Sequence, residues 1–234
     1  MAQTEMTAEI AAETKAAPQR RSQEERTREM RTKLLDATII CLEREGYAAT
    51  SISRIVAEAR VSRGAHLHHF ESKAALIQAA AERLMLAIFK RLGRVSRSVR
   101  KDEDRLASLI RSLWKDVFQS RDGAVVLELM IAARTDRELA ERLHGLMAKV
   151  RDLYALAAQH YFQSKPGAPM AVEDIFFLTQ WQLRGMLLDK AIVRDPTVFD
   201  AYIDKWIALI GAYIEPRRGV EGPPPKPEWW PLEA

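Results

Sequence analysis

Apolar residues recur along this chain at intervals of three and four, the mark of helices that each bury one face. Met30, Leu34, Ala37 and Cys41 form one such stripe, which predicts a helix from about Arg26 to Arg44 stopped by Gly46. Two shorter segments follow. Ile52, Ile55, Val56 and Ala59 give the first an apolar face, and Val61 and Leu67 hold the second against it. Ser51 and Ser62 stand where each accepts from the free N–H groups of a helix that begins there. Leu76, Ala80, Leu84 and Ile88 then run along one side of a long helix opened at Glu71 or Ser72. Beyond it the stripes predict helices over about 103–119, 123–133, 136–163, 171–193 and 196–214. Pro166-Gly-Ala-Pro169 breaks that series, and Pro196 sits in the first turn of the last helix. No β-branched run alternates with period two, so the expected fold is all-α.

The two short helices and their tight turn have the layout of a helix-turn-helix, whose second helix enters a DNA major groove. That second segment bears Arg63, His68 and His69 on a face without acids. The chain therefore divides into a disordered arm (1–24), a DNA-binding domain (25–72), a helical bundle (73–215) and an extended tail (216–234). Prolines at 216, 223, 224, 225 and 227 forbid a helix in the tail. Trp229 and Trp230 are placed to fold back onto an apolar groove.

Charge sharpens this picture. The net charge of +4 is modest, but the stretch from Lys15 to Lys73 holds twelve Lys and Arg against eight acids. A basic N-terminal module on a near-neutral body suits phosphate binding at one end and a different task at the other. A single cysteine excludes an internal disulfide and fits a reducing cytoplasm. Cys41 lies in the apolar run Ile39-Ile-Cys-Leu42, as a buried structural thiol would. The first residues lack the apolar core of a signal peptide, and no uncharged run is long enough to span a bilayer. A cytoplasmic protein without a membrane partner is expected.

Gly46-Tyr-Ala-Ala-Thr-Ser51, followed by Ala59-x-Val-Ser-x-Gly-Ala and His68-His-Phe70-x-Ser-Lys73, resembles the TetR (tetracycline-repressor-like) family of transcriptional regulators. The likeness covers Arg31 to Leu76; beyond it only the architecture is shared. It implies that Thr50 and Ser62, with Ser51 beside them, cap helices and hydrogen-bond phosphates, and that Lys73 binds a phosphate at the start of the long helix. It also implies that Arg63, Gly64 and Ala65 face base edges, an Arg there suiting bidentate pairing with guanine. His68 and His69 would donate to the DNA backbone. Three positions depart from the family pattern: Arg60 replaces a turn glycine, His66 an apolar residue and Leu67 a tyrosine.

In the bundle, Trp114, Phe118, Met130, Met147, Tyr154, Phe177 and Trp181, interleaved with Arg134, His144, Gln180 and Arg184, offer apolar walls with a few polar anchors. They are candidates for a pocket that takes a small, largely apolar effector. Ordinary core packing is the competing account of each one. Trp181, Leu188, Tyr202, Trp206 and Leu209 give the last two helices broad apolar faces suited to a homodimer, which would read two half-sites of a pseudo-palindromic operator. Enzymatic and metal chemistry find little support. His66 and His69 share a helix face with no cysteine beside them, and Glu141-x-x-His144 has no second copy to complete a di-iron set. No cofactor is implied. The expected function is a ligand-responsive repressor released from double-stranded DNA by its effector. The alternative is a helical module that binds a hydrophobic ligand or a protein and carries a vestigial helix-turn-helix.

Overall fold

The computed structural model describes residues 22–62, 64, 68–98, 104–220 and 222–229. Helix α1 spans Gln23–Ala49, α2 Ile52–Glu58, α3 Lys73–Ser98, α4 Arg105–Ser112, α5 Arg121–Ala132, α6 Arg137–Tyr161, α7 Val172–Asp189 and α8 Thr197–Gly211. A π-helical turn, Leu113–Phe118, continues α4. The one departure from an all-helical chain is a short antiparallel ribbon of β1, Phe162–Ser164, and β2, Ile214–Pro216, with Gln163 opposite Glu215. Strands of three residues are too short to show an alternating pattern, so this ribbon left no sequence signal.

Local chemistry explains the boundaries. Helix α1 starts a turn earlier than its apolar stripe because Ser22 and Glu25 form a capping box: the Glu25 N–H donates to Ser22 Oγ at 3.1 Å, and the Ser22 N–H to Glu25 Oε2 at 2.8 Å. Its regular part stops at Gly46, whose φ of 73° lies in the left-handed region, and one more helical turn carries Tyr47 to Ala49. Ser51 Oγ caps α2 by accepting from the Arg54 N–H at 3.3 Å. Ser120 and Asp136 cap α5 and α6 in the same way, through the N–H groups of Gly123 and Leu139.

Two cores result. The first joins Leu34, Leu42, Ile55 and Val56 of α1 and α2 to Leu76, Ile77 and Leu84 of α3, Leu129 of α5 and Leu139 and Leu143 of α6. The second lies between α4, the π turn, α7 and α8, around Ile110, Trp114, Phe162, Leu183, Ile203 and Ile210. Helix α3 serves both, since Ile88 lies in the second core. The helix-turn-helix elements therefore share their core with the start of the bundle. Among the described residues, no helix is long and apolar enough to cross a membrane.

Candidate functional site

The N-terminal face begins from a rigid α1–α2 pair. Arg54 is ion-paired with Glu45, and Arg44 with Glu58 at 3.5 Å, so two of the module's cations hold its own helices together. Ser62, Gly64 and His68 are exposed, and His69 is half-buried. A Cβ on Gly64 would meet nothing within 4 Å, so the space in front of it is open. Arg63 and Ala65, expected to face base edges, lie outside the described residues, as do His66 and Leu67. Among the described residues, no three His, Cys, Asp or Glu side chains converge as metal ligands.

Arg60 occupies the turn after α2 with φ 55°, the left-handed conformation that the family's glycine adopts without strain. A side chain there costs about 1–2 kcal/mol. Arg60→Gly is accordingly expected to raise unfolding stability by about 1 kcal/mol in denaturant titrations. The same variant should flatten the salt dependence of DNA binding if the exposed guanidinium meets a phosphate.

Two residues expected to bind phosphates make contacts within the protein. Thr50 is 1% exposed, and its hydroxyl donates to Gly46 O at 2.7 Å. It caps the bend after α1 and has no open path to a phosphate. Lys73 turns its ammonium inward, donating to Tyr47 O at 3.2 Å and lying 4.3 Å from the centre of the Tyr47 ring. Burial pulls its pKa down.

Tyr47 has a role that the sequence did not reveal. Its N–H donates to Glu128 Oε1 of α5 at 2.8 Å, and its phenol donates to Asp136, the cap of α6. Burial, and then the bond to Asp136, holds the phenol pKa well above its usual value. The Leu139 N–H, and then the Tyr47 hydroxyl, hold the Asp136 carboxyl below the usual range. Gly46 allows the close approach, because a Cβ there would lie 2.9 Å from Glu128 Oε1. One tyrosine thus joins α1 to both α5 and α6.

Near this junction lies a small cavity of about 40 Å³, walled by Met85, Phe89, Phe118, Val126, Leu127 and Met130 with Tyr154, Gln180 and Arg184. That is room for a few waters, far short of the ~300 Å³ at which ligand pockets begin. Phe118, Met130 and Tyr154 line it, and Phe177 stands behind Tyr154 with ring centres 6.5 Å apart. Tyr154 hydrogen-bonds Gln180, and burial pushes its phenol pKa up to about 12. Several other candidates lie away from this cavity. Trp114 is 2% exposed and packs on Phe199 in the second core. Arg134 and His144 are exposed on the surface, and Met147 is half-buried away from the cavity wall. Trp181 is 61% exposed and lies on the outer face of α7. Helical spacing had put these residues on plausible faces without showing which neighbour each face meets.

Other large apolar residues of α7 and α8 are exposed as well, among them Leu188, Tyr202 and Leu209. Trp206 is a strut within the protomer, its indole N–H donating to Thr179 Oγ1 of α7 at 2.9 Å.

Comparison with known proteins agrees with this architecture. Residues 34–80 match the family described as bacterial regulatory proteins, tetR family. The chain is similar to the HTH-type transcriptional regulator CymR of Pseudomonas putida, with 30% identity over 183 residues, 78% of this chain and 90% of that protein. Among solved structures, a TetR-family regulator from Haemophilus influenzae aligns with TM-score 0.53 and 17% identity over 81% of this chain and 99% of its own. A transcriptional regulator from Saccharomonospora viridis, solved in complex with choline, aligns with TM-score 0.60 and 16% identity over 80% of this chain and 99% of its own. The helix-turn-helix match, the sequence likeness along most of the chain and the shared helical architecture carry one conclusion: this chain belongs to the TetR family of DNA-binding transcriptional regulators.

Proposed function

We propose that the protein is a cytoplasmic, homodimeric repressor that binds a pseudo-palindromic operator and is released by a small, largely apolar effector. Residues 25–72 act as the DNA-reading part, and 73–215 as the part that binds effector and dimerises. The observation that carries this reading is the position of α5. Val126, Leu127 and Met130 on it line the cavity, while Glu128 on it holds the Tyr47 N–H at 2.8 Å. An effector too large for this small cavity presses on α5, and α5 cannot move without disturbing Tyr47 and the helix-turn-helix core behind it. Helix α3 is bound in as well, since Arg91 donates to Asp116 O at 2.6 Å and pairs with Asp122 at 3.1 Å. The effector needs only to favour the DNA-incompetent arrangement; a coupling of about 1–3 kcal/mol gives roughly 5–150-fold release. Dimerisation through α7 and α8 would set two recognition segments about 34–36 Å apart, or a multiple of that.

The test is selection of bound fragments from random duplexes, followed by gel shifts on the selected site. A two-fold symmetric site should emerge. Arg63→Ala should relax preference at one position of each half-site by about 1–3 kcal/mol, whereas His68→Ala should weaken all sequences alike. Equal loss on selected and scrambled DNA for Arg63→Ala would refute base reading by that residue. Salt-sensitive binding with no selected site would refute the repressor and identify the module with a vestigial helix-turn-helix instead.

A further inference from the structure

The reading above leaves the proline-rich tail without a task. After β2 the chain does not leave the body. The Arg217 N–H donates to Tyr161 O at 2.8 Å and its guanidinium to Phe162 O at 3.0 Å. Arg105 holds Val220 O at 3.0 Å, and the side chain of Val220 packs on the second core. His160 Nε2 lies 3.0 Å from Gly222 O. Pro224 and Pro227 are then half-buried among exposed neighbours, a spacing of three that matches one face of a polyproline helix. Trp229 comes to rest with its ring centre 5.5 Å from the Lys149 ammonium. From the last turn of α6 the tail thus runs back along that helix to its middle. Its reach suffices: an extended run from Gly222 to Trp229 covers ~22 Å, and His160 to Lys149 along α6 is ~16 Å.

Trp229 ends over a groove of about 240 Å³ between α3 and α6, bounded by Met85, Phe89, Leu146, Val150 and Leu153. Met85, Phe89 and Val150 also wall the inner cavity, so a single layer of side chains separates the two spaces. Both spaces carry a cation among apolar walls. Lys149 borders the groove, with Glu82 at the same rim engaged by Gln78 at 3.1 Å. Arg184 reaches the inner cavity, half-buried beside Tyr154 and Gln180, and among the described residues no carboxylate pairs with it. A guanidinium held out of water without a counter-charge is stabilised by any anion that arrives.

We propose that this groove is the way in to the effector cavity, that the tail covers it through Trp229 as a built-in cap, and that the effector displacing this cap is a flat apolar molecule with one anionic group. The inference rests on the effector-responsive reading of the bundle. The apolar walls of the groove suit a flat apolar body, and Lys149 followed by Arg184 supplies a cationic path inward.

Two fluorescent probes test this on the full chain: anilinonaphthalene sulfonate, a flat apolar anion, and its uncharged phenylnaphthylamine analogue. Trp229→Ala removes only a half-buried residue of the tail and leaves both cores intact. It should bind the sulfonate about fivefold tighter or more than the unmodified protein, because the tail no longer covers the groove. Trp229→Ala should also prefer the sulfonate to the uncharged probe. Adding Arg184→Met should abolish that preference while keeping affinity for the uncharged probe, and Arg184→Lys should restore it. Equal sulfonate affinity with and without Trp229 would overturn the capping tail. Tighter binding with no preference for charge would overturn the anionic effector. Failure of every variant to bind either probe would overturn the effector-responsive reading itself.

Discussion

Gly123→Ala is expected to destabilise the protein by about 3 kcal/mol, the upper end of what a buried extra methyl usually costs. A Cβ at that position would lie 2.2 Å from Val117 O and 2.6 Å from Phe118 O. Both are backbone atoms at the end of the π turn, so no change of rotamer relieves the clash. The junction is also stitched tightly: the Gly123 N–H donates to Ser120 Oγ at 3.2 Å, and that hydroxyl donates to Val117 O at 2.6 Å. Relief requires α5 to slide away, which strains the Arg121–Glu43 pair and the Glu128–Tyr47 bond that tie it to α1. Gly145→Ala is the control. It lies on the exposed side of α6 with nothing within 4 Å of its Cβ, and should stabilise that helix by about 0.5–1 kcal/mol. Urea unfolding of the two variants checks both expectations. A loss below about 1 kcal/mol for Gly123→Ala would show that α5 and the π turn separate easily, and would remove the argument that α5 transmits cavity expansion rigidly.

How much of this was legible in advance follows from the range of the forces involved. Helix faces are set by residues three and four apart, so Leu34, Ala37, Leu76, Ala80 and Leu84 could be assigned to a core from spacing alone, and all are buried. The cavity was only half legible. Phe118, Met130 and Tyr154 line it, yet Trp114 on the same helical stretch as Phe118 does not, and packs on Phe199 instead. A stripe says which side of a helix is apolar and not which neighbour it meets. His144 shows the same limit for a polar ring, since spacing could not show that it takes the solvent side of α6. The junction at Tyr47 was illegible because its bonds join residues 81 and 89 positions apart. Only the left-handed Gly46 beside it was visible in the sequence, as a helix stop. The tail illustrates the middle case. Proline content ruled out a helix, and the tryptophans pointed to an apolar groove, but which groove depended on where β2 releases the chain.

Replacing both Trp181 and Tyr202 with glutamate is expected to convert the proposed homodimer to a monomer and to weaken operator binding at least ~100-fold, about 2.7 kcal/mol. The side chains concerned are large, apolar and turned away from the protomer's own cores. Trp181 and Leu188 on α7 are 61% and 47% exposed, and Tyr202 and Leu209 on α8 are 55% and 53% exposed. In each helix the two residues are seven apart, two turns, so they form parallel outward stripes while Leu183, Ile203, Ile207 and Ile210 point inward. The Trp206–Thr179 hydrogen bond keeps the two helices in register as one surface. Monomeric proteins rarely expose a continuous apolar face of this kind. A two-fold pairing would place each substituted residue against the same face of its mate, so two glutamates per protomer put four carboxylates into one desolvated patch. Charged side chains are depleted from the centres of such interfaces because nothing there compensates their lost hydration. The fold itself should survive, since neither residue belongs to a core, and unchanged helical circular dichroism and thermal stability at low concentration would confirm that. Sedimentation equilibrium then reads the association state directly, and gel shifts read the loss on DNA, where one recognition segment has to bind without its symmetry mate. A double variant that sediments as a dimer and binds the selected operator as the unmodified protein does would move the dimer contact off α7 and α8, and with it the spacing expected between half-sites.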